Sequence, residues 1–293
     1  MSGFTSQDNM INAISTLGQS YRTDWQKSTF ATTAHTAGLW YSLMRGGGNP
    51  AADTILGTGT NLAFQALSDT VATASGIPHG GNVSTNIKHL LNMNAWSTAA
   101  TGVPGTLMLV DLQGYWPGIS NNTTSAQTLV GTPSLRYANG AGCRLYWVQT
   151  AAAGATAQNI ALSYTDQGST AGKTLPVTVA MTASGIVGHI SHAGVAANNY
   201  GPFLPLASGD TGVQNVASVT FSAANTGTGA LCLARPLAQI TLSVVGLMTE
   251  KDLLNQIPSL PQVKDGACLV WLYGAGAATA ASTTFAGGLE FVH

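Results

Sequence analysis

The residues that could do chemistry begin with SGDTG, at positions 208–212. Asp210 offers a carboxylate that could serve as a nucleophile, a general base or a metal ligand. Neither glutamate nor histidine lies near it in the sequence, so any partner must come from a distant segment. Gly209 and Gly212 favour backbone conformations with positive φ, and Asp210 can accept a bond from its own backbone as in an Asx turn. We therefore interpret SGDTG as a tight turn between two strands.

Histidines are the next candidates, as metal ligands or general bases. His189 and His192 are three residues apart in GHISHAG, where the surrounding glycines argue against a helix. On a strand the two side chains would face opposite ways. His79 and His89 have no carboxylate nearby in the sequence to orient them. A zinc site needs three or four converging ligands, so we interpret these histidines as structural or solvated and predict no metal site.

Three cysteines are widely spaced, odd in number and outside any CxxC motif. A disulfide framework is therefore not expected, which favours assembly in a reducing cytoplasm. We interpret them as buried thiols, because each sits in or beside an apolar run: Cys143, Cys232 and Cys268.

The sequence contains none of the common catalytic motifs. The glycine clusters at 46–48, 57–59 and 274–276 do not complete G-x-G-x-x-G, and no GK[ST] follows them. There is no G-x-S-x-G elbow. Eleven acidic residues in the whole chain make a paired-carboxylate glycosidase a weak third hypothesis. We predict no catalytic, cofactor-binding or metal-binding residue and no enzymatic activity.

Tryptophan suggests a different class of function, saccharide binding. Trp147 and Trp271 lie inside apolar runs and are expected in the core. Trp116, in QGYWPG beside Tyr115, is the best candidate for an exposed aromatic platform. An aromatic residue before proline also commonly anchors a loop or an interface.

Charge is the most informative property of the composition. Charged residues make up 7% of the 293 residues, with a net charge of −1, where an average domain has about 25%. The ten basic residues are scattered singly, which argues against nucleic acid as a partner. No secretion signal and no apolar run of about 18 residues is present, so we expect no membrane partner. A neutral, hydroxyl-rich surface favours a chain packed against other subunits.

The last two-thirds of the chain has a pattern typical of a β protein. Short apolar or alternating runs are separated by Gly, Ala, Thr and Asn turns. We predict a mainly β fold, a two-sheet sandwich of jelly-roll type over residues 100–293. Pro176 and Pro236 should lie at sheet edges or bulges because proline cannot donate to a ladder. The predicted strands are 106–112, 144–149, 159–165, 173–181, 213–222, 230–234, 237–244, 267–273 and 284–292.

Residues 1–99 are predicted to form a separate helical and looped region. Met10, Ile14, Leu17 and Tyr21 recur at helical spacing, after a Thr5–Asp8 capping box. A glycine-rich loop follows at 45–53, then a second helical segment at 86–96. A short helix is also predicted at 249–257, with Thr249 as N-cap, Asp252 as its capping partner and Pro258 as its end.

Several phrases of this chain resemble structural proteins of tailed-bacteriophage virions. They are SGFTSQDNMINAI, GQSYRTDW, TTAHTAGLWYSL and GNPAADT near the start, then PFLPLASGDTGVQNVASVTFSAA and ALCLARPLAQITL. The resemblance implies a head decoration or cement-like protein with a jelly-roll body, located on the capsid surface and assembled in the bacterial cytoplasm. The implied partners are the major capsid protein and the chain's own copies, as a homotrimer. The N-terminal helix and the loop at 45–53 are the expected contacts. The alternative is a carbohydrate- or receptor-binding component of a tail or fibre, with Trp116 or Tyr115 at the binding groove.

Overall fold

A computed structural model describes residues 4, 6–29, 34–59, 61–71, 76–83, 86–192, 201–256 and 260–293. The chain is mainly β, as predicted, with a helix near the N-terminus. The helices are α1 (Gln7–Ser15) and α2 (Leu253–Gln256). The first nine strands are β1 (Ser20–Ser28), β2 (Trp40–Ser42), β3 (Gly48–Asn49), β4 (Gln65–Ala66), β5 (Lys88–Ser97), β6 (Gly105–Ser120), β7 (Gln127–Thr128), β8 (Arg144–Ala151) and β9 (Gln158–Asp166). The others are β10 (Lys173–Thr174), β11 (Val179–Met181), β12 (His189–Ile190), β13 (Val213–Phe221), β14 (Thr228–Leu242), β15 (Thr249–Asp252), β16 (Gln262–Val263), β17 (Leu269–Ala275) and β18 (Thr284–Val292).

These strands form three antiparallel sheets in a sandwich-like arrangement, one more sheet than predicted. A six-stranded sheet has the order β15-β5-β18-β1-β3, with β16 beside β5. A five-stranded sheet has the order β10-β9-β13-β7, with β11 beside β9. A seven-stranded sheet has the order β12-β2-β17-β6-β14-β8, with β4 beside β6.

The seven-stranded sheet packs against both of the others through the same face. Along β6, Leu107 and Leu109 join the core shared with the six-stranded sheet, whereas Trp116 and Ile119 join the core shared with the five-stranded sheet. A register shift in the pairing of β6 with β14 lies between these two pairs of residues. Val110, on the opposite face, packs in a third core beneath the loops that follow β2. The bulge thus keeps the large side chains of one long strand directed at two different partner sheets.

The N-terminal helix is shorter than predicted. It ends at Ser15, and its cap is Ser6, whose hydroxyl accepts from the backbone N–H of Asn9; Thr5 lies outside the described residues. Met10 is buried as expected, but Leu17 is exposed and Tyr21 belongs to β1. The chain extends here because β1 pairs along its whole length with β18. Removing residues 1–28 would therefore delete a strand as well as the helix.

The predicted helix at 86–96 is wrong, because this segment is β5. Leu90 faces the core between the sheets, and its neighbour Leu91 packs on the opposite side near α1. Both faces of the strand are covered at this point, so apolar residues stand next to each other instead of alternating. A register shift in β18 between Glu290 and Phe291 lies at the same place. Adjacent apolar residues produced the helical pattern.

The helix predicted at 249–257 begins later than expected. Residues from Thr249 to Asp252 form β15, which pairs with β5, and the helix starts at Leu253. Thr249 is therefore not its N-cap; the side chain of Asp252 instead accepts from the backbone N–H of Leu254. Residues 257–259, including Pro258, lie outside the described residues.

The predicted strands between 106 and 292 are confirmed, with changes at two prolines. Pro176 falls in the gap between β10 and β11, where the expected strand 173–181 is interrupted. Pro236 lies inside the single strand β14, at a register shift and beyond the last residue paired with β8. Both positions free the proline from donating to a ladder, as expected. The division of the chain at residue 99 stays a prediction, although β1 and β5 pair with β18 in one sheet.

The glycine-rich loop at 45–53 is held from inside the molecule. Lys27 of β1 is buried and donates to the carbonyl oxygens of Gly46, Pro50 and Ala51 at 2.7, 3.1 and 3.1 Å. Burial lowers the pKa of Lys27 to about 8. The lysine therefore acts as a clamp that satisfies three carbonyl oxygens of an irregular loop.

Candidate functional site

SGDTG is a turn, as predicted, but Asp210 does not bond only locally. Gly209 adopts a φ of +88°, and the N–H of Asp210 donates to the carbonyl of Ala207 at 3.0 Å. The Asp210 carboxylate accepts from the Tyr164 hydroxyl at 2.7 Å and from the Lys173 ammonium at 3.2 Å. The turn is thereby fixed to β9 and β10.

Gly212 is required for a different reason from the one predicted. Its φ is not positive; a Cβ at this position would lie 2.1 Å from the carbonyl oxygen of Gly140. The turn therefore packs directly onto the backbone of a neighbouring loop. A side chain of any size would separate the two segments.

Lys173 links two carboxylates that the sequence did not connect. Its ammonium lies 3.2 Å from Asp210 and 3.4 Å from Asp166. The Asp166 carboxylate also accepts from the backbone N–H groups of Gly168 and Thr170, each at 2.8 Å. The Thr170 bond, with help from Lys173, lowers the pKa of Asp166, and the bond to Asp210 raises the pKa of Lys173. A cation between two ionised carboxylates stabilises both charges, which is the opposite of the arrangement that keeps one acid protonated for glycoside hydrolysis.

A second polar cluster, which sequence reasoning missed, joins Lys88, His79 and Asp69. The Lys88 ammonium donates to Nδ1 of His79 at 2.8 Å and also to the carbonyl of Gly81. Nε2 of His79 lies 3.0 Å from the carbonyl oxygen of Ala267 and 3.4 Å from the Asp69 carboxylate. These distances fix the imidazole as neutral, with its proton on Nε2. The ten-residue interval between Asp69 and His79 carries no recognisable spacing signal.

This cluster has the connectivity of a proton relay but not its accessibility. Lys88 is only 1% exposed, so its amine meets no substrate in this structure. Burial lowers its pKa, and burial together with Lys88 lowers the pKa of His79. The groups bond to one another beside the loop at 76–83, and Oδ1 of Asp69 is left without a hydrogen-bond partner among the described residues. We assign the cluster a structural role.

Two of the histidines considered as metal ligands, His189 and His192, lie with His35 in a third, buried cluster. His35 packs edge-on against the Tyr41 ring and His189 stacks on it, with centroid distances of 4.1 and 5.1 Å. His192 is also buried. Among the residues that the structure describes, no side chain or backbone group is hydrogen-bonded to either ring nitrogen of His35 and His192 or to Nε2 of His189. Within the described residues no three His, Cys, Asp or Glu side chains are arranged to hold a metal ion.

The aromatic groove expected at Trp116 does not exist. Trp116 is 0% exposed and packs edge-on against Phe64 at 4.8 Å, and Tyr115 is also buried, with its hydroxyl donating to the carbonyl of Ile55. That prediction is wrong because β6 continues through QGYWPG into the core. Trp147 and Trp271 are buried as predicted. The three cysteines are free and buried, also as predicted.

A large share of the charged side chains is buried and bonded inside the fold. Arg136 makes a bidentate ion pair with the fully buried Asp111, at 2.5 and 3.2 Å, and also donates to the carbonyls of Leu67 and Leu112. Four of the ten basic and four of the eleven acidic residues have side chains at most 15% exposed and are bonded internally. These eight residues are Lys27, Arg45, Lys88, Arg136, Asp53, Asp111, Asp166 and Asp210.

The exterior is consequently even less charged than the composition indicates. The remaining thirteen ionisable Lys, Arg, Asp and Glu residues are spread over 11512 Å² of surface, about one for each 900 Å². In the described part of the chain, exposed apolar side chains are most concentrated in the loop between β14 and β15. We call this stretch the apolar loop; it exposes Val244 (52%), Val245 (42%), Leu247 (60%) and Met248 (53%).

Comparisons with known proteins identify no family for this chain. No family model and no curated protein matches it. Two solved structures of infectious bursal disease virus, the VP2 subviral particle and the Gt strain, align with 11% identity and a TM-score of 0.17. The alignments cover 93% and 94% of this chain and 80% and 81% of those chains. A TM-score this low carries no argument about fold or function. No helix in the described part of the chain is long and apolar enough to span a membrane.

Proposed function

We propose that this chain is a structural component of a tailed-phage virion, a decoration or cement protein of the capsid. It binds the major capsid protein and its own copies and stabilises the head by buried surface. The observation that carries the proposal is the nearly charge-free exterior. It arises because two ion pairs, Arg45–Asp53 and Arg136–Asp111, and the side chains of Lys27 and Lys88 are buried inside the fold. The resemblance of several phrases of the sequence to structural proteins of tailed-phage virions points to the same role.

A neutral exterior suits a subunit that is surrounded by others. A stable interface buries about 800 Å² on each partner, so an average patch of that size on this chain contains about one charge. Desolvating an unpaired charge is costly, and like charges on neighbouring copies repel. Both costs are small here, so large areas of the surface can be buried without specific ionic matching.

The apolar loop and α1 are the surfaces most suited to these contacts. Val244 and Leu247 expose more than half of their area in a loop without charged residues. Ile11 and Leu17, at 51% and 58%, are exposed on and just after α1, although the inner face of that helix is already packed through Met10. Exposed apolar patches of this kind mark association surfaces. Contact through the loop at 45–53 stays a prediction. Three of its carbonyl oxygens are bonded to Lys27, and its Arg45 and Asp53 are paired with each other.

Sedimentation with capsids tests the proposal. Purified chain is mixed with tailed-phage heads that lack it, and bound protein is measured after the heads are pelleted. Saturable binding at a fixed number of copies per head is expected. A chain that stays in the supernatant at every concentration contradicts the proposal. Light scattering of the isolated chain then tests the homotrimer.

A further inference from the structure

The solvent-facing side of the six-stranded sheet contains a trough that no role in a shell requires. Along β1 the side chains alternate strictly between a buried and an exposed face. β18 runs between β1 and β5 and places two small residues on the face that carries the trough, the half-buried Ala286 and the buried Gly288. The two rows of residues in register across these three strands are Gln26–Ala286–Trp96 and Asp24–Gly288–Asn94.

The small residues make the floor of the trough and the outer strands make its walls. Strands lie about 4.8 Å apart, so side chains on β1 and β5 face each other across roughly 10 Å. A different groove, of about 550 Å³, lies beside β9. Its lining includes no charged side chain and no tryptophan. The trough on the six-stranded sheet has a volume of about 460 Å³, within the range of small-molecule sites.

Polar side chains of β1 and β5 close over the backbone of Gly288, which is buried beneath them. A Cβ at this position would lie 3.2 Å from Oδ1 of Asp24, 3.3 Å from Nδ2 of Asn94 and 3.5 Å from Nη2 of Arg22. Oδ1 of Asn94 accepts from the N–H of Gly288 at 2.8 Å, which fixes the amide and leaves Nδ2 as a donor. An acceptor and two kinds of donor therefore meet at one point of the floor.

The other end of the trough is apolar. Trp96 is half-buried and lines the wall on β5, opposite the exposed amide side chain of Gln26. Met248, the last exposed residue of the apolar loop, lines the same wall. A half-buried indole in the lining of a trough is an aromatic surface on which a sugar ring can stack beside hydrogen-bonding groups.

The charges in the trough compensate each other. Arg22 is paired with Glu290 at 2.9 Å and with Asp24 at 3.4 Å. No cation is therefore left free to select an anionic ligand. The site fits a molecule that is neutral, has apolar C–H faces and presents many hydroxyl groups.

We propose that this trough binds a neutral oligosaccharide, with one sugar ring stacked on Trp96 and hydroxyl groups bonded to Asp24, Asn94 and Gln26. The proposal does not depend on the virion role, and a chain that never binds capsids could still have this site. It places saccharide binding on the six-stranded sheet, whereas Trp116 belongs to the seven-stranded sheet.

A printed array of neutral oligosaccharides, of two to six hexose or N-acetylhexosamine units, tests the site. The tightest binder is then titrated calorimetrically into the full chain. Trp96→Ala and Asp24→Ala are each expected to weaken binding about tenfold or more, and Ala286→Ile, which fills the floor, to abolish it. Trp40→Ala, a half-buried tryptophan on another sheet, and Asp8→Ala, an exposed aspartate on α1, are the matched controls and should bind as the parent does.

Two results would overturn the proposal. One is the absence of binding to every oligosaccharide at millimolar concentration by the folded parent chain. The other is binding that survives Asp24→Ala and Gln26→Ala within twofold; both side chains are exposed, so these variants test the site even if Trp96→Ala fails to fold.

Discussion

Acidification should destabilise this protein through its buried histidine cluster. Burial lowers the pKa of His35 and His189 to about 4, and of His192 to about 3. Proximity adds to the effect, since His35 disfavours the charged form of His189, and His189 that of His192. The unfolded chain takes up these protons near pH 6.5, but the folded chain does not until about pH 4. The free energy of unfolding therefore falls as the pH is lowered through this window and recovers as it is raised.

The size of the effect follows from the same values. At pH 4.5 a histidine with a folded pKa near 4 and an unfolded pKa near 6.5 costs about 2.5 kcal/mol. Three such groups give an upper bound of roughly 8 kcal/mol, which is comparable with the whole stability of an ordinary domain. We expect at least the contribution of one histidine to be measurable.

Urea unfolding between pH 7.5 and 4.5 measures this loss. His189→Phe keeps an aromatic ring on Tyr41 and removes the titrating group, so it should reduce the pH dependence by about 2.5 kcal/mol. His89→Gln, at a half-buried position outside the cluster, is the control and should reduce it less. The measurements stop at pH 4.5 so that they report on the histidines. The pKa of Asp166 is lowered from its ordinary value of 3.8, so the stability that its ionised carboxylate contributes is lost mainly at lower pH. Equal stability at pH 7.5 and 4.5, or an unchanged slope in His189→Phe, would refute the reasoning.

Two further predictions concern the surface and the core. The double variant Val244→Asp, Leu247→Asp should weaken self-association and capsid binding at least tenfold, because burying the exposed halves of these side chains contributes about 1 kcal/mol each. The control is Val177→Asp, at an exposed valine of another loop. An equal loss of binding in both variants would contradict the assignment. Asp111→Ala should lower the free energy of unfolding by roughly 3–5 kcal/mol, because it leaves the Arg136 charge buried without its partner. A change below 1 kcal/mol in urea unfolding would show that this pair is dispensable.

The sequence revealed two kinds of strand: those with one covered face, such as β13, and short continuous apolar runs such as β8 and β17, which are buried on both faces. In β13 the buried Val216, Val219 and Phe221 are separated by residues that are not buried, and this pattern is readable in one dimension. β1 was missed because its buried face includes Thr23 and Lys27 beside Trp25, and a lysine that clamps a distant loop has no apolar signature. β5 was missed for the reason given above, two covered faces at one end.

The polar clusters could not be predicted because their members come from separate segments. Asp210 bonds to Lys173, which lies 37 positions away in the sequence. Lys88 bonds to His79, which in turn lies beside Asp69. Side chains of ordinary type meet only once the sheets are assembled. The trough over Gly288 has the same origin, since its walls are the first and fifth strands and its floor is the last one.

The measurement that tests the central claim most directly is a three-dimensional reconstruction of tailed-phage particles assembled in bacterial cells that produce this chain. The account predicts continuous density for the three sheets on the outer surface of the head, repeated at fixed positions, with the loop between β14 and β15 or α1 against a neighbouring subunit. Particles whose every ordered density is explained without this chain, while the chain remains free in the lysate, would contradict it.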